Sequence, residues 1–360
     1  MRRGRKGSRQ RVDPITKART GVWAGRPVRR DGRMETDSWE RARQVLEAAG
    51  LPPARLAGLR PLSGGTYNTV EELVLTDGSR YVLKVPPPPT APGLRHERRL
   101  LVSEAEFHRA AAGADVPVPR VVAAGPHLLT TACPGKPWDG TLTAAERTVL
   151  RRELGRQVAR LHRVTGPGFG YPSGALGPLA ADWRTAFVTM LDAVLDDARR
   201  YQPRLPRPVD VVARTLRAAH DALDEVAVPC LVHFDLWQGN VLVDRVAGEA
   251  RIGGLIDGER MFWGDPLADF VSLALLGDIR KDRAFLTDYR EGGGASGFGV
   301  TERLRLALYR CYLYLIMLTE TVPRAAGEEH DRRLWEVVAP ELVAALDEVG
   351  ELGRGSSGSP

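Results

Sequence analysis

The sequence predicts an α+β fold in two lobes, a small β-rich lobe followed by a larger, mainly helical one. Three observations carry this prediction. Strand-like runs with turn residues between them fill residues 59–85 and 120–132. Helical spacing takes over beyond Thr141, and one compact β segment, Cys230 to Asp257, interrupts the helices. Strands and helices segregated along the chain in this way indicate α+β rather than a doubly wound sheet.

Taken in order, residues 1–33 hold twelve Lys or Arg against Asp13 and Asp31. That is a local charge of +10 in a chain of net charge +6, so residues 34–360 carry −4. The segment has no periodicity and reads as a disordered basic tail. Two readings stay open for it: an electrostatic arm for nucleic acid, or sequence upstream of a true start at Met34. Thr36, Asp37 and Ser38 are N-cap candidates for a helix from Trp39 to Ala49 that ends at Gly50. The small lobe spans 34–132. LRPLSG runs into a Gly-rich turn, TVEELVLT runs to Asp77-Gly78, and SRYVLKV follows. Asp-Gly between apolar runs signals a hairpin. Prolines 86–89 end the strand because they cannot donate to a ladder. A helix from Arg98 to Ala112, closed by Gly113, and strands at Arg120 to Ala124 and Leu128 to Ala132 complete the lobe.

Residues 133–141, opening on Cys133-Pro134-Gly135-Lys136-Pro137, read as the hinge, and the large lobe spans 142–350. Its predicted helices are Ala144 to Arg163, Trp183 to Tyr201, Val209 to Val226, Leu267 to Leu276, Thr301 to Thr321 and Leu334 to Val349. Residues 351–360, ending GRGSSGSP, read as a flexible terminus.

The most informative run is LVHFDLWQGNVLV, Leu231 to Val243. A strand leads to His233, then Asp235, then Asn240, then a second strand; after a turn through Gly248, Ile252 to Ile256 runs back into Asp257. Asp235, Asn240 and Asp257 therefore converge at the end of a small hairpin. Phosphoryl transfer needs such a set: one carboxylate to orient an attacking hydroxyl, and a second carboxylate with an amide oxygen to hold Mg²⁺ against phosphates. Hard oxygen ligands suit that ion. Elsewhere, Ser63-Gly64-Gly65-Thr66 lies between two predicted strands, where backbone N–H groups can cover phosphates. Lys84 sits between the core residues Leu83 and Val85, so it either snorkels or has a buried anionic partner.

H-x-D-x-x-x-x-N followed by I-D resembles the aminoglycoside phosphotransferase and choline kinase family, a branch of the protein-kinase-like superfamily, over about Leu59 to Leu276. The resemblance implies a protein-kinase-like fold and an ATP- and Mg²⁺-dependent transfer to a hydroxyl of a small molecule, with GTP left open. It makes Asp235 the catalytic base and Asn240 and Asp257 the metal ligands. Ser63, Gly64, Gly65 and Thr66 become the phosphate turn. Lys84 becomes the α/β-phosphate lysine, paired with Glu104 ahead of Glu106 and Glu97. The nucleotide is then expected between the lobes, against the backbone of Thr130 to Cys133, with Thr131 and Cys133 as contacts. His233 and His162 read as structural supports, Asp265 as a helix cap, and Asp269 as a brace for the catalytic loop.

The resemblance leaves the acceptor undefined. Glu259, Asp278 and Glu320 are acidic candidates for holding it, with Tyr309, Tyr312 and Trp263 as walls. An aminoglycoside or related antibiotic is the first expectation, and a sugar amine the second, because Asp235-Leu236-Trp237 is similar to the fructosamine kinase branch. A non-catalytic nucleotide-binding protein is a further alternative, disfavoured by the intact Lys84, Asp235, Asn240 and Asp257. A protein kinase is disfavoured because no A-P-E-type segment follows Asp257.

Composition bounds the rest. Cys133, Cys230 and Cys311 match no metal-site spacing and suggest a reducing compartment. No apolar run is long enough for a membrane span, and the start lacks the apolar core of a signal peptide, so a cytoplasmic location is expected. Nucleic acid is expected as a partner only through the basic tail.

Overall fold

The computed structural model describes residues 32–62 and 67–356. The four residues of the predicted phosphate turn, Ser63 to Thr66, and residues 1–31 and 357–360 lie outside the described residues.

Helix α1 (Gly32–Ala48) precedes strands β1 (Leu56–Pro61), β2 (Thr69–Leu75) and β3 (Arg80–Val85). Helix α2 (Leu100–Gly113) and strands β4 (Val121–Ala124) and β5 (Leu128–Thr131) follow. The five strands form one antiparallel sheet in the order β1-β2-β3-β5-β4. Its register sets Lys84 opposite Val70 on one side and Leu128 on the other. The predicted caps Thr36, Asp37 and Ser38 lie inside α1, which begins earlier. Ser38 is buried and accepts a hydrogen bond from Arg41, which also pairs with the buried Glu71 on β2. One face of α1, Ala42 and Leu46, covers the sheet through Leu56, Leu73, Leu75, Leu83 and Leu129.

The hinge is more ordered than its composition suggests. Strand β6 (Lys136–Pro137) pairs with β8 (Val241–Val246), which pairs with β9 (Glu249–Leu255). Gly135 has φ of +94°, and a Cβ there would lie 2.4 Å from the carbonyl oxygen of Val243, so glycine is required where the hinge crosses the hairpin.

The large lobe contains α3 (Ala144–Leu161), α4 (Trp183–Tyr201), α5 (Val209–Arg217), α6 (Leu267–Leu273), α7 (Arg283–Glu291), α8 (Val300–Thr319) and α9 (Glu328–Ser356). Strands β7 (Cys230–Val232) and β10 (Phe262–Gly264) pair antiparallel within it. Three helices depart from the prediction. The single helix expected to Val226 ends at Arg217 and resumes as a 3-10 turn, His220–Glu225, where Arg305 takes the Ala222 carbonyl and the Glu225 carboxylate. Helix α7 was not anticipated, although Asp282 caps it on the Phe285 N–H and its buried Phe285, Leu286 and Tyr289 share a face. Helix α9 runs past Val349 to Ser356, so residues 351–356 continue a helix where a flexible end was expected; Leu352 still packs on the core.

An aromatic cluster fills the centre of the large lobe. Phe234 lies 5.0 Å from Phe262 and 5.5 Å from Tyr312 between ring centroids, and Trp183 and Phe187 pack around Tyr309. Each such fully buried ring contributes about 1.5–3 kcal/mol of apolar burial. No helix among the described residues is long and apolar enough to cross a membrane.

Candidate active site

β7 delivers the chain to His233 and Phe234 and then turns sharply. Phe234 is fully buried in the left-handed region, φ +60°, a conformation that costs a residue with a side chain about 1–3 kcal/mol. Asp269 on α6 holds it there. One carboxylate oxygen accepts the Phe234 N–H at 2.7 Å, and the other accepts the His233 N–H at 3.1 Å and faces His162 Nε2 at 3.0 Å. Ser272, also on α6, accepts the Leu236 N–H at 2.9 Å. The loop is thus clamped from behind while Asp235 stays at its rim.

His233 ties the loop to the turn that carries Asp257. The Asp235 N–H donates to its Nδ1 at 3.2 Å, so Nε2 carries the hydrogen and donates to the Ile256 carbonyl at 3.0 Å. Asn240 Nδ2 donates to the Asp235 carbonyl at 2.8 Å and to its carboxylate at 3.2 Å, while the Ile256 N–H donates to the Asn240 carbonyl. Asp235, Asn240 and Asp257 are therefore brought together, as the spacing predicts. Asp257, with φ +65°, reaches across to the small lobe.

There it meets Lys84. The ammonium lies 2.5 Å from Asp257, 2.7 Å from Glu104 on α2, and 3.8 Å from Glu259. Burial works against its charge, but Asp257, Glu104 and Glu259 outweigh that and raise its pKa well above the lysine range. Burial likewise opposes the Glu104 charge, but Lys84 and His108 hold its carboxyl well below the usual range. Glu104 is the lysine's partner on α2. Of the runners-up, Glu106 accepts from Trp263 Nε1 at 3.0 Å, and Glu97 accepts the Leu94 N–H and pairs with Arg324.

At the hinge rim, the Thr131 N–H donates to Arg120 and the Ala132 N–H to Arg80, both within the sheet. The Thr131 and Ala132 N–H groups are therefore already committed to the protein's own backbone. The Cys133 thiol packs on Gly254 and is pushed up to about 11 by burial.

The residues expected at the acceptor are placed differently. Tyr309 and Tyr312 are core residues without exposure: Tyr309 donates to Asp265, and Tyr312 shares a hydrogen bond with Tyr171. Trp263 is buried at the lobe contact through Glu106. Asp278 caps a short turn and lines a separate cleft with Arg280, Arg303, Arg310 and Glu348. Glu259 sits on the Lys84 side, accepting from Asn68 Nδ2 at 2.6 Å. Glu320 is neutralised by Arg260 at 2.7 Å and Arg324 at 3.1 Å. Asp265 accepts the Leu267 N–H, as a cap at that position should, and also takes Arg305.

Sequence reasoning missed Asn68, Arg260 and Arg324 as site neighbours. The only signal was for Arg260, three residues after Asp257. Asp257 offers a hard oxygen ligand to a divalent cation, and two more carboxylates stand beside it, with the Lys84 ammonium among the three. The oxygens of Glu104, Asp257 and Glu259 all lie within 4.8 Å of one another around the Lys84 ammonium, and all are hard ligands. Two buried atoms beside this cluster, Glu104 Oε2 and Asn68 Oδ1, have no hydrogen-bond partner among the described residues, as befits a site completed by a polar ligand.

Comparison with known proteins bears on the family and the fold. The chain is 27% identical over 306 residues to a protein named "probable ketoamine kinase" from Lactiplantibacillus plantarum, covering 80% of this chain and 97% of that one. A candidate fructosamine-3-kinase from Thermobifida fusca matches its fold at a TM-score of 0.61 with 21% identity, covering 86% of this chain and 97% of the other. A thermostable mutant aminoglycoside phosphotransferase, solved as a ternary complex with ADP and hygromycin B, matches at 0.52 with 18% identity, over 88% and 98% of the two chains. Residues 58–309, more than two thirds of the chain, match the profile of the phosphotransferase enzyme family, and the protein belongs to that family as a small-molecule phosphotransferase of protein-kinase-like fold.

Proposed function

We propose that the protein is an ATP- and Mg²⁺-dependent kinase that phosphorylates a hydroxyl of a sugar-derived amine, a ketoamine in the first instance. The observation that carries the kinase reading is the single constellation of Lys84 on Glu104 and Asp257, with Asn240 on Asp235. Lys84 binds the phosphates and Glu104 aims it. Asp257 and Asn240 would hold the cation, with Glu259 beside them. Bound Mg²⁺–ATP supplies the phosphoryl group; Asp235 orients the acceptor hydroxyl toward it and accepts its proton. The protein's work is positioning and charge stabilisation.

For the acceptor, support comes from the relative in L. plantarum, matched over nearly its full length, and from Asp235-Leu236-Trp237 in the catalytic loop. The aminoglycoside expectation relied on acidic side chains for a polycation. Glu320 is committed to two arginines and Glu259 to Asn68 and Lys84, which removes much of that support.

Purified protein with Mg²⁺ and ATP is assayed for ADP release against fructosylated and ribosylated amines, aminoglycosides and simple sugars. Fructosylated lysine is expected to give turnover, and Asp235→Asn to lower kcat by about 10²- to 10⁴-fold. Turnover with aminoglycosides alone would reverse the acceptor assignment. An unchanged Asp235→Asn would remove Asp235 from its role.

A further inference from the structure

The segment between β3 and α2 belongs to the small lobe by sequence but docks on the large one. The Tyr201 hydroxyl donates to the Gly93 carbonyl at 2.9 Å. The Arg95 N–H donates to Asp197 at 2.8 Å, and its guanidinium pairs with Asp196 at the surface. The next residues turn inward: His96 stacks on Tyr171, and Glu97 accepts the Leu94 N–H at 2.8 Å through one oxygen.

The other Glu97 oxygen pairs with Arg324, just past α8. Arg324 and Arg260 share one oxygen of Glu320, at 3.1 Å and 2.7 Å. Arg260 follows Asp257 by three residues, and the chain leading into that turn is tied to the loop of Asp235, because the Ile256 carbonyl accepts from His233 Nε2 and the Ile256 N–H donates to the Asn240 carbonyl. A chain of charge contacts therefore runs from the docked strap to Arg260, in a turn hydrogen-bonded to the loop that carries Asp235. Glu97, Glu320 and Arg260 are 1%, 4% and 8% exposed. Burying charges of both signs this deeply adds little net stability, because desolvation offsets the attraction. What such a network fixes is geometry. Tyr67 adds a second tie, because its ring approaches both Gly93 and the Arg324 guanidinium just after the Gly-rich turn.

We propose that Glu97 is a positioning residue for phosphoryl transfer, acting through Arg324 and Glu320 to fix Arg260 and with it the turn that joins Asp257 to the loop of Asp235. Docking of the strap thereby sets the geometry of the catalytic loop. The proposal rests on the reading of Asp235 as the carboxylate that orients the acceptor. Small displacements at such a centre lower the rate steeply without weakening ground-state binding.

The test uses full-length protein carrying Glu97→Gln, Arg324→Gln, both together, Arg95→Ala or Asp235→Asn. ADP release from Mg²⁺–ATP is read with fructosylated lysine and with water alone as acceptor, with rates normalised to the folded fraction. Glu97→Gln is expected to lower kcat about tenfold or more, with KM for Mg²⁺–ATP within about twofold. The double variant should be no slower than the slower single, because the two residues act as one unit. Arg95→Ala, which cuts a surface tether and spares the network, should keep the wild-type kcat. If Glu97→Gln fails to fold, Arg324→Gln carries the same test, since it removes the charged nitrogen that bridges Glu97 and Glu320. Wild-type kcat in Glu97→Gln beside a slow Asp235→Asn would overturn the proposal. So would losses that multiply in the double variant, or an equal loss in Arg95→Ala. An Asp235→Asn as fast as wild type would instead overturn the reading of Asp235, and the relay with it.

Discussion

Glu259 lies two residues beyond Asp257, held by Asn68 at 2.6 Å and 3.8 Å from the Lys84 ammonium. Burial, and then the Asp257 charge beside it, push its carboxyl up to about 8, with Lys84 pulling the other way. A carboxyl raised in the folded state binds its proton more tightly than the unfolded chain does. Its contribution to stability is present below the ordinary carboxylate range and is lost as pH climbs toward 8. Metal- and nucleotide-free protein should therefore lose stability between about pH 5 and 8, and Glu259→Gln should flatten that decline. Urea unfolding at several pH values measures it, and identical slopes in the two proteins would refute it. The same residue marks the limit of sequence reading. Asp235, Asn240 and Asp257 were legible because twenty-odd residues and one hairpin fix their convergence, and Lys84 because a charge flanked by core residues demands a partner. Glu259 was assigned to the acceptor because spacing does not show which side of a turn a side chain takes. Tyr309 and Tyr312 were misassigned because nothing local distinguishes a wall from a core.

Between α2 and the turn at Gly258–Arg260, two elements distant in sequence are fitted without slack. A Cβ on Gly258 would lie 2.3 Å from the Phe107 ring, which also meets the His233 ring edge-on. Gly258→Ala must therefore displace α2, and with it Glu104 and its hold on Lys84. Overpacking of this kind costs about 1–3 kcal/mol. The variant should show that loss in urea unfolding, together with weaker binding of a fluorescent ATP analogue. Wild-type affinity with only lowered stability would separate α2 placement from nucleotide binding. Elements were readable where both ends carried chemical signals, as for α4, with Asp182 accepting the Thr185 N–H at its start. Helix α7 escaped because nine residues give too few periods to stand out, and its apolar face is defined only by tertiary neighbours, α3 and Phe270 of α6. Helix α9 outran its predicted end because Leu352 finds the core, which the polar composition of the terminus conceals.

The two lobes differ in what holds them. The core beneath α1 comprises Ala42, Leu46, Leu56, Leu73, Leu75, Leu83 and Leu129, whereas the large lobe's core runs continuously from Leu94 to Val349 and includes Phe107 and Ala111 of α2. Apolar burial dominates stability, so the sheet of the small lobe should open at lower free energy than the helices around α8. By the same packing, α2 should open with the large lobe, although its sequence position puts it in the small one. Beside the apolar packing of α2, the lobes meet through polar contacts: Lys84 with Asp257, Asn68 with Glu259, Glu97 with Arg324, and Trp263 with Glu106. A ligand bound to both lobes should add its binding free energy to the opening of the weaker one. At about 100 times its dissociation constant, Mg²⁺–ATP should add about 2.7 kcal/mol. Native-state hydrogen exchange is the measurement. Without ligand, amides of β1 to β3 should exchange well before those of α2 and α8. With ligand the gap should narrow, and in Asp257→Ala it should not. Strand amides as protected as those of α8 before any ligand is added would mean that these contacts alone already join the lobes into one cooperative unit.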